Sequence, residues 1–313
     1  MNRFYNDVVK GLSAGSKYLE SKYFYDAEGD KLFQQIMDCP EYYPTRCELE
    51  IFAEQTGELS SLFRSYYQDF ELVELGAGDA TKSIHLLRRL LADNATFTYY
   101  PIDISSNIIR SLRDKLPQQL PGLRVEGLNG EYFEMLEQQK KVSAKPKIVL
   151  FLGSNIGNIP ADKVNDFCTE LRSHLNPRDL VLIGFDLKKD PRTILAAYND
   201  KGGITRRFNL NLLRRMNDEL GADFDLSKFE HYPVYDPGTG ACKSYLVSLA
   251  EQRVCVGDTE CFDFKEGEPI HTEISQKYTV EQTDGIAAQC GFTPVRRLFD
   301  SKHWFLDAIW ECI

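Results

Sequence analysis

The sequence predicts an α/β chain built on a largely parallel sheet, joined to a second, α+β region. Three observations predict it. Apolar runs of strand length alternate with amphipathic helical stretches between residues 70 and 187. One run, KIVLFLGSNIGN at 147–158, is continuously apolar and then stops in small polar residues, the pattern of a strand buried on both faces. The alternation then fails after residue 188. Strands alternating with helices imply right-handed βαβ units and therefore parallel strands.

Residues 1–46 are rich in aromatic and turn residues, with short helical patches. FELVELGAGDATKSIHLLRRLL (70–91) reads as strand, glycine turn and amphipathic helix. TFTYYPIDIS (96–105) is a second strand ending at Asp103, and SNIIRSLRDKL continues as a helix. LRVEGLNGEYF (123–133) is expected as a third strand and loop, and the run at 147–158 as the fourth strand. DKVNDFCTELRSHL is helical by spacing and is stopped by Asn176-Pro177, since the residue before proline is pushed out of the helical region. DLVLIGFDL (179–187) is the fifth strand. Residues 190–232 look helical and 233–277 look like antiparallel strands and turns, and strand-like pieces near 292–299 and 303–311 close the chain. Residues 188–277 are thus expected as an insertion that packs with the N-terminal segment as a cap over the strand ends. The expected division is 47–187 plus 278–313 for the sheet domain and 1–46 plus 188–277 for the cap.

A chain of 313 residues is long enough for one large domain or two with sizeable cores. The net charge of −10 argues against nucleic-acid or anionic-membrane partners, which want a basic face. No apolar stretch approaches the roughly 20 residues that span a bilayer, and the N-terminus MNRFYNDVVKGL is too polar for a signal peptide. The eight cysteines include no C-x-x-C pair, so no metal site is expected. Free, mostly buried thiols in a reducing cytoplasm are expected instead, in a monomer.

In open α/β sheets the ligand lies beyond the carboxyl ends of the strands. The first strand ends Glu74-Leu75-Gly76-Ala77-Gly78, with a helix starting near Thr81. Glycines there let a nucleotide come close to the backbone. The turn continues Asp79-Ala80-Thr81 without the third glycine of a dinucleotide fingerprint, which speaks against a nicotinamide enzyme. A carboxylate at Asp79 suits a ligand with a positive charge and no phosphate, and S-adenosylmethionine fits. Asp103 ends the second strand, where a carboxylate accepts from both ribose hydroxyls. Asn129-Gly130-Glu131 ends the third, at the expected adenine position. The fourth ends with Gly153, Asn155 and Asn158, and an amide both donates and accepts, as an amino group beside a carboxylate requires.

Five segments carry a resemblance. KYFYDAEGDKLFQQIMDCPEYYPTRCELEI (22–51), VELGAGDATK (73–82), FLGSNIGN (151–158), AAYNDKGGITRRFNLNLLRRMNDELGADFD (196–225) and EGEPIHTEISQKY (266–278) occur in that order. Together they resemble the histidine Nα-methyltransferase family of ergothioneine biosynthesis, over nearly the whole chain. The resemblance implies a class I (Rossmann-like) methyltransferase core with a second α+β domain that binds the substrate. It implies S-adenosylmethionine as cofactor and a free amino acid, trimethylated at its α-amine to the betaine. By position, it places Tyr25 and Asn158 beside the substrate amine and Asn158 with Tyr198 on the carboxylate. Tyr42, Glu273 and Ser275 surround the side chain, Gly153 lies in the loop between the two ligands, and Thr81, Lys82 and Asp103 contact the cofactor.

Two departures bear on specificity. Where the family has a methionine against the imidazole, the aligned segment here is Cys242-Lys243-Ser244, so Ser244 is expected to widen the pocket. The adenine-side Gly-Asp-Phe is Gly130-Glu131-Tyr132. Histidine is the expected substrate, with tyrosine or tryptophan as alternatives. A non-catalytic protein binding S-adenosylmethionine or an amino acid is the rival from another class.

Overall fold

The fully apolar runs become the middle of a seven-stranded sheet in the computed structural model, which describes residues 3–257 and 259–313. In chain order, α1 (Arg3–Leu12), α2 (Ala27–Asp38), α3 (Tyr43–Glu54) and α4 (Thr56–Tyr66) lead into β1 (Asp69–Leu75). Then follow α5 (Ser83–Ala92), β2 (Thr96–Asp103), α6 (Ser106–Gln119), β3 (Leu128–Asn129), α7 (Tyr132–Val142), β4 (Lys147–Phe151), α8 (Val164–Ser173) and β5 (Leu180–Asp186). The insertion contains α9 (Pro191–Ala197), α10 (Ile204–Leu220), β6 (Phe229–Asp236), β7 (Ala241–Ser248), β8 (Gln252–Val256), β9 (Glu260–Phe264) and β10 (Pro269–Gln276). The chain ends with α11 (Val280–Gln289), β11 (Phe292–Phe299) and β12 (Phe305–Cys312).

Two compact units result. The sheet unit comprises Pro44–Lys188 and Gln276–Ile313, and the second unit comprises the chain up to Tyr43 with Lys189–Ser275. The split expected after residue 46 would cut α3, which runs unbroken from Tyr43, so the division lies at that helix's start.

In the sheet unit the strand order is β11-β12-β5-β4-β1-β2-β3. Strands β5 through β3 are parallel, while β12 runs antiparallel to β5 and β11 antiparallel to β12. Every residue of β4 and β5 is buried, as their unbroken apolar character requires when helices cover both faces. Chain order reverses between β1 and β4, which makes their carboxyl ends the crevice where ligands bind in such sheets. The third strand is far shorter than expected. Only Leu128–Asn129 pair with β2, preceded by a lone bridge from Val125 to Tyr99. It is the edge of the sheet and lies between Gly127 and Gly130, residues that weaken strands. Helix α11 is absent from the sequence expectation, although a capping box announces it. Thr279 Oγ1 accepts from the Gln282 N–H (3.3 Å), and Gln282 Oε1 accepts from the Thr279 N–H (2.9 Å).

In the second unit β7 lies between β10 and β6, and β8 pairs with β9 as a separate hairpin. A core of Phe24, Leu32, Phe208, Leu212, Met216, Phe229 and Leu246 joins α2, α10 and this sheet. The helical reading of 190–232 runs too far: α10 stops at Gly221, in the left-handed region at φ 63°, and β6 begins at Phe229. Glycine ends helices this way because it has no Cβ to clash. The expectation of free thiols also needs correction. Six cysteines are free and buried, but Cys255 and Cys261 are bonded to each other. They are direct cross-strand partners on β8 and β9, with Cα atoms 4.0 Å apart. Among the described residues, no helix is long and apolar enough to cross a membrane.

Candidate active site

At the end of β1 the backbone turns through Gly76 and Gly78, both left-handed at φ 71° and 54°. A Cβ at Gly76 would lie 2.8 Å from the Tyr132 hydroxyl and 3.1 Å from Asn155 Nδ2, so the approach itself requires glycine. At Gly78 the space is open and the backbone conformation makes the demand. The Gly78 N–H donates to Asp103 Oδ2 (3.2 Å) and the Ser105 N–H to Asp103 Oδ1 (2.8 Å). Burial pushes the Asp103 carboxyl up, and the N–H groups of Ser105, Gly78 and Ile104 pull it back down. A carboxylate has about four acceptor sites, so three backbone N–H groups leave about one at the strand end. Asn129 Nδ2 donates to the carbonyls of Asp103 (2.9 Å) and Ile104 (3.0 Å), binding the third strand end to the second. A Cβ at Gly130 would lie 2.8 Å from Met135 Cε, which ties that glycine to the packing of α7. Glu131 is the exposed N-cap residue of α7, and Thr81 is exposed before α5, its N–H held by Asp79 Oδ1 (3.0 Å).

Glu74 is placed otherwise than the sequence suggests. It is 3% exposed and its carboxylate accepts the Tyr99 hydroxyl from the neighbouring strand. Burial pushes it up to about 7, with the hydroxyls of Tyr99 and Ser83 and the charge of Lys82 opposing. It supports the turn from within the sheet.

The loop after β4 enters the left-handed region at Gly153 (φ 74°) and Ser154 (φ 56°), then makes a 3₁₀ turn over Asn155–Asn158 that ends with Asn158 exposed. The Gly153 N–H donates to both carboxylate oxygens of Glu48, at 2.8 and 2.9 Å. The same carboxylate pairs with the Lys82 ammonium. Burial lowers the Lys82 pKa, but Glu48 beside it outweighs this and leaves it raised. At Gly157 a Cβ would lie 2.9 Å from the Gln276 carbonyl, so that backbone backs the loop directly. The Asp186 N–H donates to Ser154 Oγ (3.2 Å), and Asp186 pairs at 2.7 Å with Lys277, both fully buried. Asn155, read from the G-S-N-I-G-N string, lies at this crevice as expected, whereas Glu48, 105 residues upstream of Gly153, was passed over because no local signal ties it to that loop.

The second unit brings a different chemistry together. Tyr25, 38% exposed, meets Phe33 edge-on (centroids 5.6 Å) and Phe208 (5.9 Å). Phe33 meets Tyr42 (6.4 Å), Tyr42 meets Tyr198 (6.3 Å), and the Tyr198 hydroxyl donates to Ser275 Oγ (2.7 Å). Tyr25, Tyr42, Tyr198 and Ser275 thus form one contiguous chain of contacts. Asp26 beside Tyr25 accepts from the Gly29 N–H (2.6 Å) and from Asn211 Nδ2 (2.9 Å), which anchors this end to α10. Glu273 is half-buried on β10, two residues before Ser275.

Ser244 does not join this group. Along β7 the buried residues are Cys242, Ser244, Leu246 and Ser248, and Leu246 belongs to the core under α10. The Ser244 carbonyl accepts from Thr272 Oγ1 (3.1 Å), which also donates to Asn209 Oδ1 on α10 (2.8 Å). On the other face Tyr245 lies against His271 (5.4 Å), and His271 and Glu273 share parity on β10. Ser244 and Glu273 therefore occupy opposite faces of the sheet. A one-residue slip across the Pro237–Gly240 turn reverses every side chain on the strand, so Lys243 and Tyr245, not Ser244, share the face of Glu273.

Comparison with known proteins bears on what these ends hold. Residues 4–312 match the family model for histidine-specific, SAM-dependent methyltransferases. The histidine N-alpha-methyltransferase of Mycolicibacterium smegmatis is 34% identical over 302 residues, covering 96% of this chain and 90% of that protein. That of Mycobacterium tuberculosis is 34% identical over 291 residues, covering 93% and 89%. A 4-dimethylallyltryptophan N-methyltransferase of Claviceps fusiformis is 27% identical over 206 residues, 63% of this chain and 57% of that protein. With the family model matched along almost its entire length, over a Rossmann-like sheet whose strand ends carry the glycine turns and Asp103, the chain belongs to the histidine-specific, S-adenosylmethionine-dependent methyltransferases.

Proposed function

We propose that this methyltransferase acts on the α-amine of free L-histidine and carries it to the trimethylated betaine. One observation carries the reading: the contiguous Tyr25–Phe33–Tyr42–Tyr198–Ser275 chain offers hydroxyls on an aromatic wall without a formal charge. A zwitterionic amino acid needs a hydrogen-bond partner for each desolvated polar group, and a neutral lining supplies these while leaving the amine free to lose its proton. Likeness to two histidine N-alpha-methyltransferases across nine-tenths of the chain favours histidine; the dimethylallyltryptophan enzyme matches much less of it.

In this reading the sheet unit is the methyltransferase core and the second unit the substrate-binding domain. S-adenosylmethionine supplies an electrophilic methyl on a sulfonium. The residues at the strand ends fit it: Asp103 keeps acceptor capacity for the ribose, Gly76 and Gly78 admit a close ligand, and Gly130 with Glu131 borders the adenine. Thr81 and Lys82 complete this end. Asn158 donates to the substrate carboxylate and accepts from its amine, Gly153 leads the chain to it, and Tyr25 and Tyr198 hold amine and carboxylate. With the cofactor bound, these residues would hold the amine in line with the methyl, and its proton would leave to water, directly or relayed through a tyrosine hydroxyl, before each further transfer. Alignment of the amine supplies much of the barrier reduction. Glu273 accepts from an imidazole N–H and pairs with an imidazolium, with Tyr42 and Ser275 around the ring. The net charge of −10 supports a small-molecule substrate over nucleic acid; six buried cysteines outside any disulfide favour a reducing cytoplasm, against the one Cys255–Cys261 bond, and the protein is read as a monomer.

The test is incubation with S-adenosylmethionine and a mixture of the twenty amino acids, followed by mass analysis. Trimethylhistidine is the expected product. Trimethylation of another amino acid overturns the choice of histidine, and a product stopped at one methyl overturns the betaine.

A further inference from the structure

The charged group that holds the two glycine loops lies on a helix far from either loop in sequence. Glu48 is on α3, 0% exposed, and takes the Gly153 N–H on both oxygens and the Lys82 ammonium on one. Gly153 begins the loop after β4, and Lys82 lies between the turn after β1 and α5. A single carboxylate thus spans the two strand ends where the sheet order reverses. Its place is built. A Cβ at Gly184 on β5 would lie 2.4 Å from Glu48 Oε1, so the carboxylate sits where that side chain would be.

Asp307 on β12 is the direct antiparallel partner of Gly184, and side chains of directly opposed residues leave the sheet on the same face. It is 0% exposed, and neither of its oxygens has a hydrogen-bond partner among the described residues. Burial, then the negative charge of Glu48, hold the Asp307 carboxyl well above its ordinary range, against the pull of Lys82. One ammonium therefore faces two buried acids, and of the two it pairs with Glu48.

We infer that Glu48 is a positioning residue of the methyl transfer, fixing Gly153 and Lys82 so that the loops after β1 and β4 keep the geometry that cofactor and substrate need. Lys82 then acts through its pairing with Glu48. This rests on reading the strand ends as the S-adenosylmethionine site. The sequence string around Glu48, P-T-R-C-E-L-E, carries no metal or nucleophile pattern, and only the fold brings it to the loops.

The experiment compares wild type, Glu48→Gln and Glu48→Gln/Lys82→Met. Glu48→Gln keeps the shape and one acceptor for Gly153 but strips Lys82 of its counter-ion; the double variant removes the stranded ammonium as well. The readouts are S-adenosylhomocysteine affinity by calorimetry, kcat and KM for histidine, and the melting temperature. Glu48→Gln is expected to bind S-adenosylhomocysteine at least tenfold more weakly and to lower kcat at least tenfold. The double variant is expected to regain melting temperature without regaining kcat, and Gly184→Ala, which leaves Lys82 in place, separates positioning from charge balance. Return of kcat with stability in the double variant overturns the inference, as does Glu48→Gln within twofold of wild type. Gly184→Ala keeps every charge and displaces only the carboxylate, so it is expected to lower kcat even where the charge variants do not fold. If all three fail to fold, Glu48 is a folding residue and the inference falls. Failure of wild type itself to bind S-adenosylhomocysteine refutes the site reading instead.

Discussion

The sheet unit and the second unit each hold ionisable groups whose burial favours the neutral form, but of opposite kinds. In the sheet unit these are acids: burial pushes Glu74 up to about 7 and holds Asp307 well above its ordinary range. In the second unit they are bases: burial pulls His231 down to about 4 and lowers His271 as well. Both sheet-unit acids lie beside other charged groups, and on each Lys82 pulls down while Glu48 pushes up. The second unit organises its site through rings and hydroxyls and keeps its imidazoles in the packing, with His231 Nε2 and His271 Nε2 unpartnered among the described residues. The two units should therefore lose stability in opposite directions of pH change, the sheet unit as pH rises and the second unit as it falls.

The largest effect expected comes as pH rises from acid to neutral. In the unfolded chain Glu74 ionises near 4.5, and in the fold only near 7. Its contribution is thus complete below 4.5 and is lost as pH rises through 7. A tenfold change in an ionisation equilibrium is worth about 1.4 kcal/mol, so the loss is on the order of 3 kcal/mol. Glu74→Gln keeps an acceptor for the Tyr99 hydroxyl and should flatten that loss. Thermal unfolding at pH 5 and pH 8 checks it; equal pH dependence in variant and wild type would break the comparison from the sheet side.

The mirror experiment is His231→Phe. His231 protonates near 6.5 when unfolded and near 4 when folded. Its contribution is present above 6.5 and is lost as pH falls toward 4, a loss again on the order of 3 kcal/mol. The variant should hold its stability between pH 6.5 and 4 better than wild type does. An unchanged acid limb in urea titrations would place the acid lability elsewhere.

Asp103→Ala tests the loop anchors through binding. It removes the acceptor for Gly78 and Ser105 and for the ribose. Losing charge-assisted hydrogen bonds of this kind costs about 1.5–3 kcal/mol, so calorimetry should show S-adenosylmethionine bound at least tenfold more weakly. Affinity equal to wild type would disconnect Asp103 from the cofactor.

The smallest effect sharpens the account of the second unit. Ser244→Met enlarges a residue on the α10 face of the sheet, where overpacking costs about 1–3 kcal/mol. It should lower the melting temperature and leave the preference among histidine, tyrosine and tryptophan as it was, whereas Tyr245→Ala on the Glu273 face should change that preference. Competition assays decide; sharpened histidine preference in Ser244→Met would return that residue to the pocket.

Much of this protein was legible from local pattern. The apolar runs of β4 and β5, the turn Gly76–Gly78 and the acid closing β2 are local consequences of burial and of backbone freedom, and they appear where the residues say. Near-neighbour chemistry was also legible but passed over at α11, where T-V-E-Q spells a capping box. The helix–strand boundary between Gly221 and Phe229 was misread because a polar, charged α10 and the start of β6 share no sharp change of period.

What tertiary structure alone decided is of a different kind. The face of β7 that meets Glu273 depends on register, and register is a parity that composition does not carry. Glu74 reads as an open acid at a turn until Tyr99 arrives from the next strand. Cys255 and Cys261 pair because hairpin register sets them opposite. Glu48 reads as one more helical glutamate until the fold brings it to Gly153 and Lys82. The sequence by itself determined the strands, the turns and the family, because those rest on local propensity and on strings of adjacent residues. Only the folded chain decided which charges face one another, because a Coulomb or hydrogen-bond partner is chosen by distance in space, and here that distance joins residues 105 positions apart.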